Sequence, residues 1–174
     1  MAFATSSTIG VNLNSQDTTQ LFALNTKVLG SGNSEWHYVI ATQQLVTGQF
    51  CYVQVNGTAD VLATAMFVGL GVLGTTGQLD IGVAQYTISG GAYGWVLKKG
   101  NNAYVLCSGT CPVGVPVGFT GSGTLVTGGL VAVSMTALGL FINVSASTAT
   151  QSVASGLVAY PRPISAGNGV ISTL

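Results

Sequence analysis

Charge is what this sequence has least of. Across 174 residues there are four Lys+Arg, four Asp+Glu and one His, so 5% of positions are charged, against about 25% in an ordinary soluble domain. Lys27, Lys98, Lys99 and Arg162 form no basic stripe and are too few to neutralise the roughly six to ten phosphates that duplex binding engages. The reading is therefore no direct nucleic-acid partner. The four acids, Asp17, Glu35, Asp60 and Asp80, lie far apart along the chain, and each reads as a turn or cap residue rather than half of a general acid/base pair. A formal net charge of zero removes the self-repulsion that keeps many monomers apart, which favours association.

Long apolar runs are scarce too. Residues 61–73 and 130–144 are broken by Gly, Ser and Thr and fall short of the roughly 20 residues that a spanning helix needs, so no membrane partner is expected. The first Lys is Lys27 and the opening stretch is polar, so no secretory leader is read and synthesis in the cytoplasm is expected. The three cysteines, Cys51, Cys107 and Cys111, are odd in number and read as buried thiols rather than a disulfide framework.

What is abundant is glycine, 25 residues of it, together with Ser, Thr and β-branched residues bracketed by Gly or Asn. That pattern predicts short strands, tight turns and little helix. The expected fold is all-β, either a jelly-roll-like sandwich or a partly closed β-barrel. Residues 1–26 lack a sustained period and read as an extended N-terminal arm that needs another surface to order it. A β-domain over 27–160 and a C-terminal tail over 161–174 complete the expected organisation.

Alternation puts Trp36, Tyr38 and Ile40 on an inward strand face and Glu35, His37 and Val39 on the other. Cys51, Val53 and Val55 share a face of a strand that runs into an Asn56-Gly57 turn. Residues 80–88 and 93–97 read as antiparallel strands joined through Ser89-Gly90-Gly91. A further turn is expected over 98–102, leading into Tyr104–Cys107. Val113, Val115, Val117 and Phe119 alternate with Gly and Pro, which reads as an edge strand or a loop packed by one face and disfavours a central strand there. A last apolar run spans 138–144, and Tyr160-Pro-Arg-Pro163 is expected to stop regular pairing.

Few residues are left for chemistry. His37 and Cys51 are types that form a base–nucleophile pair, yet no third orienting group is evident, and His37 reads as an exposed strand residue. Cys107 and Cys111 resemble half of a metal knuckle, and only Cys51 and His37 remain to complete a four-ligand site. Gly30-Ser-Gly-Asn33 and Gly121-Ser-Gly-Thr124 lack the Lys-Ser/Thr of a phosphate loop and read as turns. Asn56-Gly-Thr58 and Asn143-Val-Ser145 match glycosylation acceptors, which matter only on a secreted chain. No catalytic, cofactor or metal residue is assigned, and no enzyme activity is expected. Trp36, Tyr93 and Trp95 are core candidates first and sugar-stacking platforms second.

The run Lys27-Val-Leu-Gly-Ser-Gly-Asn-Ser-Glu-Trp-His-Tyr-Val39, then Leu45-Val-Thr-Gly-Gln49, Ile81-Gly-Val-Ala-Gln85 and Gly91-Ala-Tyr-Gly-Trp-Val96, resembles the small head decoration, or cement, proteins of tailed bacteriophages. The resemblance covers roughly residues 27–100. It implies a β-rich structural protein of the virion, on the capsid exterior, whose partners are the major capsid protein and other copies of itself in a homo-oligomer. The long apolar stretch 61–73 and the low charge depart from that pattern. From composition, the arm and the tail are the expected capsid-binding elements. The alternative from another class is a carbohydrate-binding β-sandwich module of a phage tail or cell surface.

Overall fold

The computed structural model describes residues 11–61, 80–107, 113, 117–119, 125–127, 135–144 and 152–165; its side chains are described for 11–61, 80–101, 103–107 and 113. It is an all-β molecule. In chain order the strands are β1 (Lys27–Gly30), β2 (Ser34–Ala41), β3 (Phe50–Val53), β4 (Thr58–Val61), β5 (Ile81–Ala84), β6 (Tyr93–Cys107), β7 (Val117–Phe119), β8 (Leu125–Thr127), β9 (Met135–Val144) and β10 (Ser152–Ser165), with one 3₁₀ turn at Ser31–Asn33.

Pairing closes two circuits. β2, β4, β3, β5 and β6 join in that order, and β6 returns to β2, giving a ring of five strands. β6 then continues into a second circuit through β10, β9, β7 and β8, closed by the parallel Cys107–Leu125 pair. Of the two expected architectures, the first ring answers to the partly closed barrel. Its seam is short, because β2 pairs with β4 only at Ile40–Thr58 and Ala41–Ala59, whereas β1 lies beside the other half of β2.

The ring explains the choice of side chains. Val39, Ala41, Cys51, Val53, Ala59, Ala84 and Val96 come from all five strands and form one core with Leu45, Ile88 and Ala92. Five strands enclose little space, so these positions hold small residues. The opposite strand faces carry the bulk: Trp36, Tyr38, Phe50, Ile81, Val83, Trp95 and Leu97 form a second core. Both faces of β2 are therefore buried, which corrects the expectation of one inward face. His37 in particular is 6% exposed, not the surface residue that alternation alone implies.

The cover over the aromatic face comes from residues 11–24. Leu13 is buried in that core, with Val11, Phe22 and Leu24 packed on it. Phe22 meets Tyr38 edge-on at 5.2 Å between ring centroids and lies 5.3 Å from Trp95. Asp17 forms a β-bridge with Tyr93, and its Oδ2 accepts a bond from the Tyr38 hydroxyl at 3.3 Å. The surface that orders residues 11–26 is thus the chain's own sheet; residues 1–10 lie outside the described residues.

The Asn56-Gly57 turn forms as expected. Gly57 has φ +83, and a Cβ there would lie 2.4 Å from that of Leu24, so both the backbone sign and the space require glycine. No turn interrupts 98–102, however. β6 runs unbroken through Gly100, because it changes partners instead of reversing: β2 and β5 flank its first half, and β10 pairs with it from Lys99 to Cys107. Gly100 serves close approach here, a Cβ lying 3.1 Å from Leu97 Cδ1.

Two further expectations need correction. β10 continues through Pro161-Arg162-Pro163, paired with β9 as far as Ser165–Met135 after a register shift between Val158 and Arg162. Its pairing with β6 has ended by then at Ala159, and a strand paired on one side only, as this stretch is among the described residues, tolerates proline. Val117–Phe119 lies between β8 and β9, past Pro116, and is no edge. Cys111 and the apolar stretch beyond Val61 fall outside the described residues.

Candidate functional site

One irregularity in the ladder builds the only concentration of charge in the first ring among the described residues. Trp36 pairs with Leu97 but Glu35 pairs with Lys99, leaving Lys98 as the extra residue of a β-bulge in β6. Bulges re-aim side chains. Here the Lys98 side chain ends 1% exposed, with Nζ 2.5 Å from Asp80 Oδ1; Asp80, immediately before β5, is 52% exposed. His37 stands on the neighbouring strand, its Nε2 3.0 Å from Glu35 Oε1 and its Nδ1 4.0 Å from Asp80 Oδ2. Lys27 reaches Glu35 from outside at 3.9 Å.

This group is incompletely satisfied. His37 Nδ1 and Lys98 Nζ are buried and, among the described residues, neither has a hydrogen bond of good geometry. For Lys98 this means that the amine rests against the Asp80 carboxylate as a contact ion pair, without an aligned N–H···O bond. Burial pushes the Lys98 ammonium below its usual range, opposed by the Asp80 carboxylate in contact with it. Burial likewise lowers His37, opposed first by Glu35 and later by Asp80, while the charges of Lys98 and Lys27 add to the lowering. With Glu35 ionised and accepting from Nε2–H, the His37 Nδ1 lone pair is left over on the side of Asp80.

The residues that sequence reasoning weighed fall elsewhere. Cys51 turns its thiol to the Gly82 carbonyl at 3.6 Å, and burial pushes it up to about 12, well outside the range of a working nucleophile. Cys107 is also buried. Among the described residues, no group of three His, Cys, Asp or Glu is placed to hold a metal ion. Asn56, in the acceptor-like triplet, spends its side-chain oxygen on the Thr58 amide and hydroxyl.

Trp36 and Trp95 are buried, and Tyr93 stacks on Tyr38 at 6.1 Å. A stacking platform needs an open ring face, and the two tryptophans offer none. Trp36 does border a cavity of about 320 Å³ between the 3₁₀ turn and the bend of β6, together with Ser34, Gln85, Leu97 and Tyr104. Two of its polar side chains are already engaged: Trp36 Nε1 donates to Ser34 Oγ, and the Gln85 amide exchanges two bonds with the Tyr104 backbone at 2.8 and 3.1 Å.

The Lys98 group was missed because 98–102 read as a turn. The bulge that re-aims Lys98 depends on its register with β2, far earlier in the chain, and leaves no local signal.

No family model matches the chain. No curated protein matches it either. Among solved structures, the base of the head fibre protein gp8.5 of bacteriophage phi29 is similar, with a TM-score of 0.46 and 12% identity, over 73% of this chain and 95% of that one. A likeness of that degree carries no argument about what this chain does.

Proposed function

We propose that this chain is a structural virion protein, a decoration or cement subunit that binds the outside of a phage head and bridges neighbouring major capsid proteins without catalysing a reaction. The observation that supports this most is where the few charges go. Lys98 is enclosed and Glu35 is 16% exposed, so the exterior is poorer in charge than the composition suggests. Apolar side chains stand on it instead: Leu21, Leu29 and Val55 are exposed, the last at 99%. A neutral surface of this kind suits extensive dry or hydrogen-bonded contact with other proteins. The resemblance of residues 27–100 to decoration proteins points the same way.

A standard protein contact buries about 1,600 Å², and many copies holding through several contacts each gain avidity without strong individual bonds. Because Leu13 and Asp17 belong to the folded unit, the segments proposed for attachment are residues 2–10 and those beyond Ser165. The test is cosedimentation with shells that lack the protein. Binding is expected to persist at about 1 M salt, where the screening length is about 3 Å, and to weaken on deletion of residues 2–10. Release by salt alone contradicts an uncharged interface.

A further inference from the structure

We propose that Lys98 and Asp80 become joined after folding by an amide bond between Nζ and Cγ, a covalent clasp linking β6 to the residue that opens β5. This stands independently of the proposed role in the virion. Its basis is the geometry of the ring's mouth. A primary amine is enclosed by protein and set by a β-bulge against a single carboxylate at 2.5 Å, with no aligned hydrogen bond to hold it as a simple donor. Beside that carboxylate stands a histidine whose second nitrogen is buried and unsatisfied, 4.0 Å from the other Asp80 oxygen. Glu35 fixes the ring through Nε2. These are the parts that acyl transfer to an amine requires: a desolvated nucleophile, an acyl carbon at contact distance and a positioned proton carrier.

The step balances without any co-reactant. Proton transfer from the Lys98 ammonium to the Asp80 carboxylate, eased at the nitrogen by its enclosure, gives a neutral amine and a neutral carboxylic acid. The Lys98 nitrogen attacks Asp80 Cγ and the new C–N bond forms. His37, closing to hydrogen-bond distance, takes up a proton at Nδ1 and returns it to the departing hydroxyl as the C–O bond breaks. One water leaves through the exposed side of Asp80, and His37 ends as it began. Glu35 is a positioning residue here, since it acts through the imidazole. Cys51 is no competitor for the acyl group, because its thiol is held protonated and turned to Gly82.

The experiment is the intact mass of the full chain under denaturing conditions, set beside Lys98→Arg. The wild type is expected to be lighter than its sequence by one water and the variant to have its full mass. Cleavage after Tyr86, Tyr93 or Trp95, all between the two residues, is expected to leave the wild-type fragments joined through a Lys98–Asp80 branch. A wild type at full sequence mass overturns the proposal. So does a water loss that persists in Lys98→Arg, which would place the dehydration elsewhere. If Lys98→Arg does not fold, the wild-type mass and the branched fragment decide alone.

Discussion

His37 shows how position rewrites the chemistry of a residue. On an exposed strand face it would titrate near its ordinary value of about 6.5. In the ring it is buried beside Lys98, and burial outweighs the help of Glu35 and Asp80, so its folded-state pKa lies below the unfolded one. The unfolded chain then binds the proton more readily. Above the unfolded value the group is neutral in both states and costs nothing; as pH falls below it, folding must increasingly resist protonation, and stability declines. Melting temperature is expected to drop from about pH 7 to about pH 5, and His37→Gln is expected to flatten that slope. An equal slope in both proteins would assign the loss to the carboxylates. The expectation survives formation of the Lys98–Asp80 bond, because the largest cause of the shift is burial. The alternation of Trp36, His37 and Tyr38 was legible in the sequence. Burial of both faces was not, since it depends on a ring closed by residues far apart in the chain.

At the scale of elements, turns were legible where they rest on local backbone chemistry. Asn56-Gly57 and Ser89-Gly90-Gly91 turn as expected, with Gly57 and Gly91 at positive φ. Lys98-Lys99-Gly100-Asn101-Asn102 has the composition of a turn and forms part of a strand, because β2 and β10 pair with it at Lys99 and Gly100. Tertiary pairing overrode propensity. Proline misled in the same way at Pro161 and Pro163, where pairing on one side only, among the described residues, removes the objection. Residues 11–26 show no period because they pack by single anchors rather than as a regular element. Leu13 is the most enclosed of these anchors. Leu13→Ala is expected to destabilise the domain by about 2–5 kcal/mol, the range for deleting a buried leucine side chain, read as a lowered denaturation midpoint. A change within about 0.5 kcal/mol, typical of surface sites, would mean that this segment is dispensable to the fold.

For the whole molecule, two strand circuits share β6, so that one strand ties the first half of the chain to the second. The interior of the first is lined by small apolar residues, and the charged group beside it encloses Lys98; among the described residues few charges stand on the outside. A surface of this character has little with which to steer a charged ligand and much that can be covered by protein. The candidate binding segments lie at both ends of the chain, outside the described residues, and composition alone recommends them. The central claim concerns where this chain sits. A density map of the intact particle, at a resolution that separates strands, tests it most directly: the account predicts copies of the β-domain on the outer face of the shell, lying across junctions between capsid subunits. Density for this chain confined to the tail, or a shell whose junctions are bare while the protein is present in the particle, would contradict it.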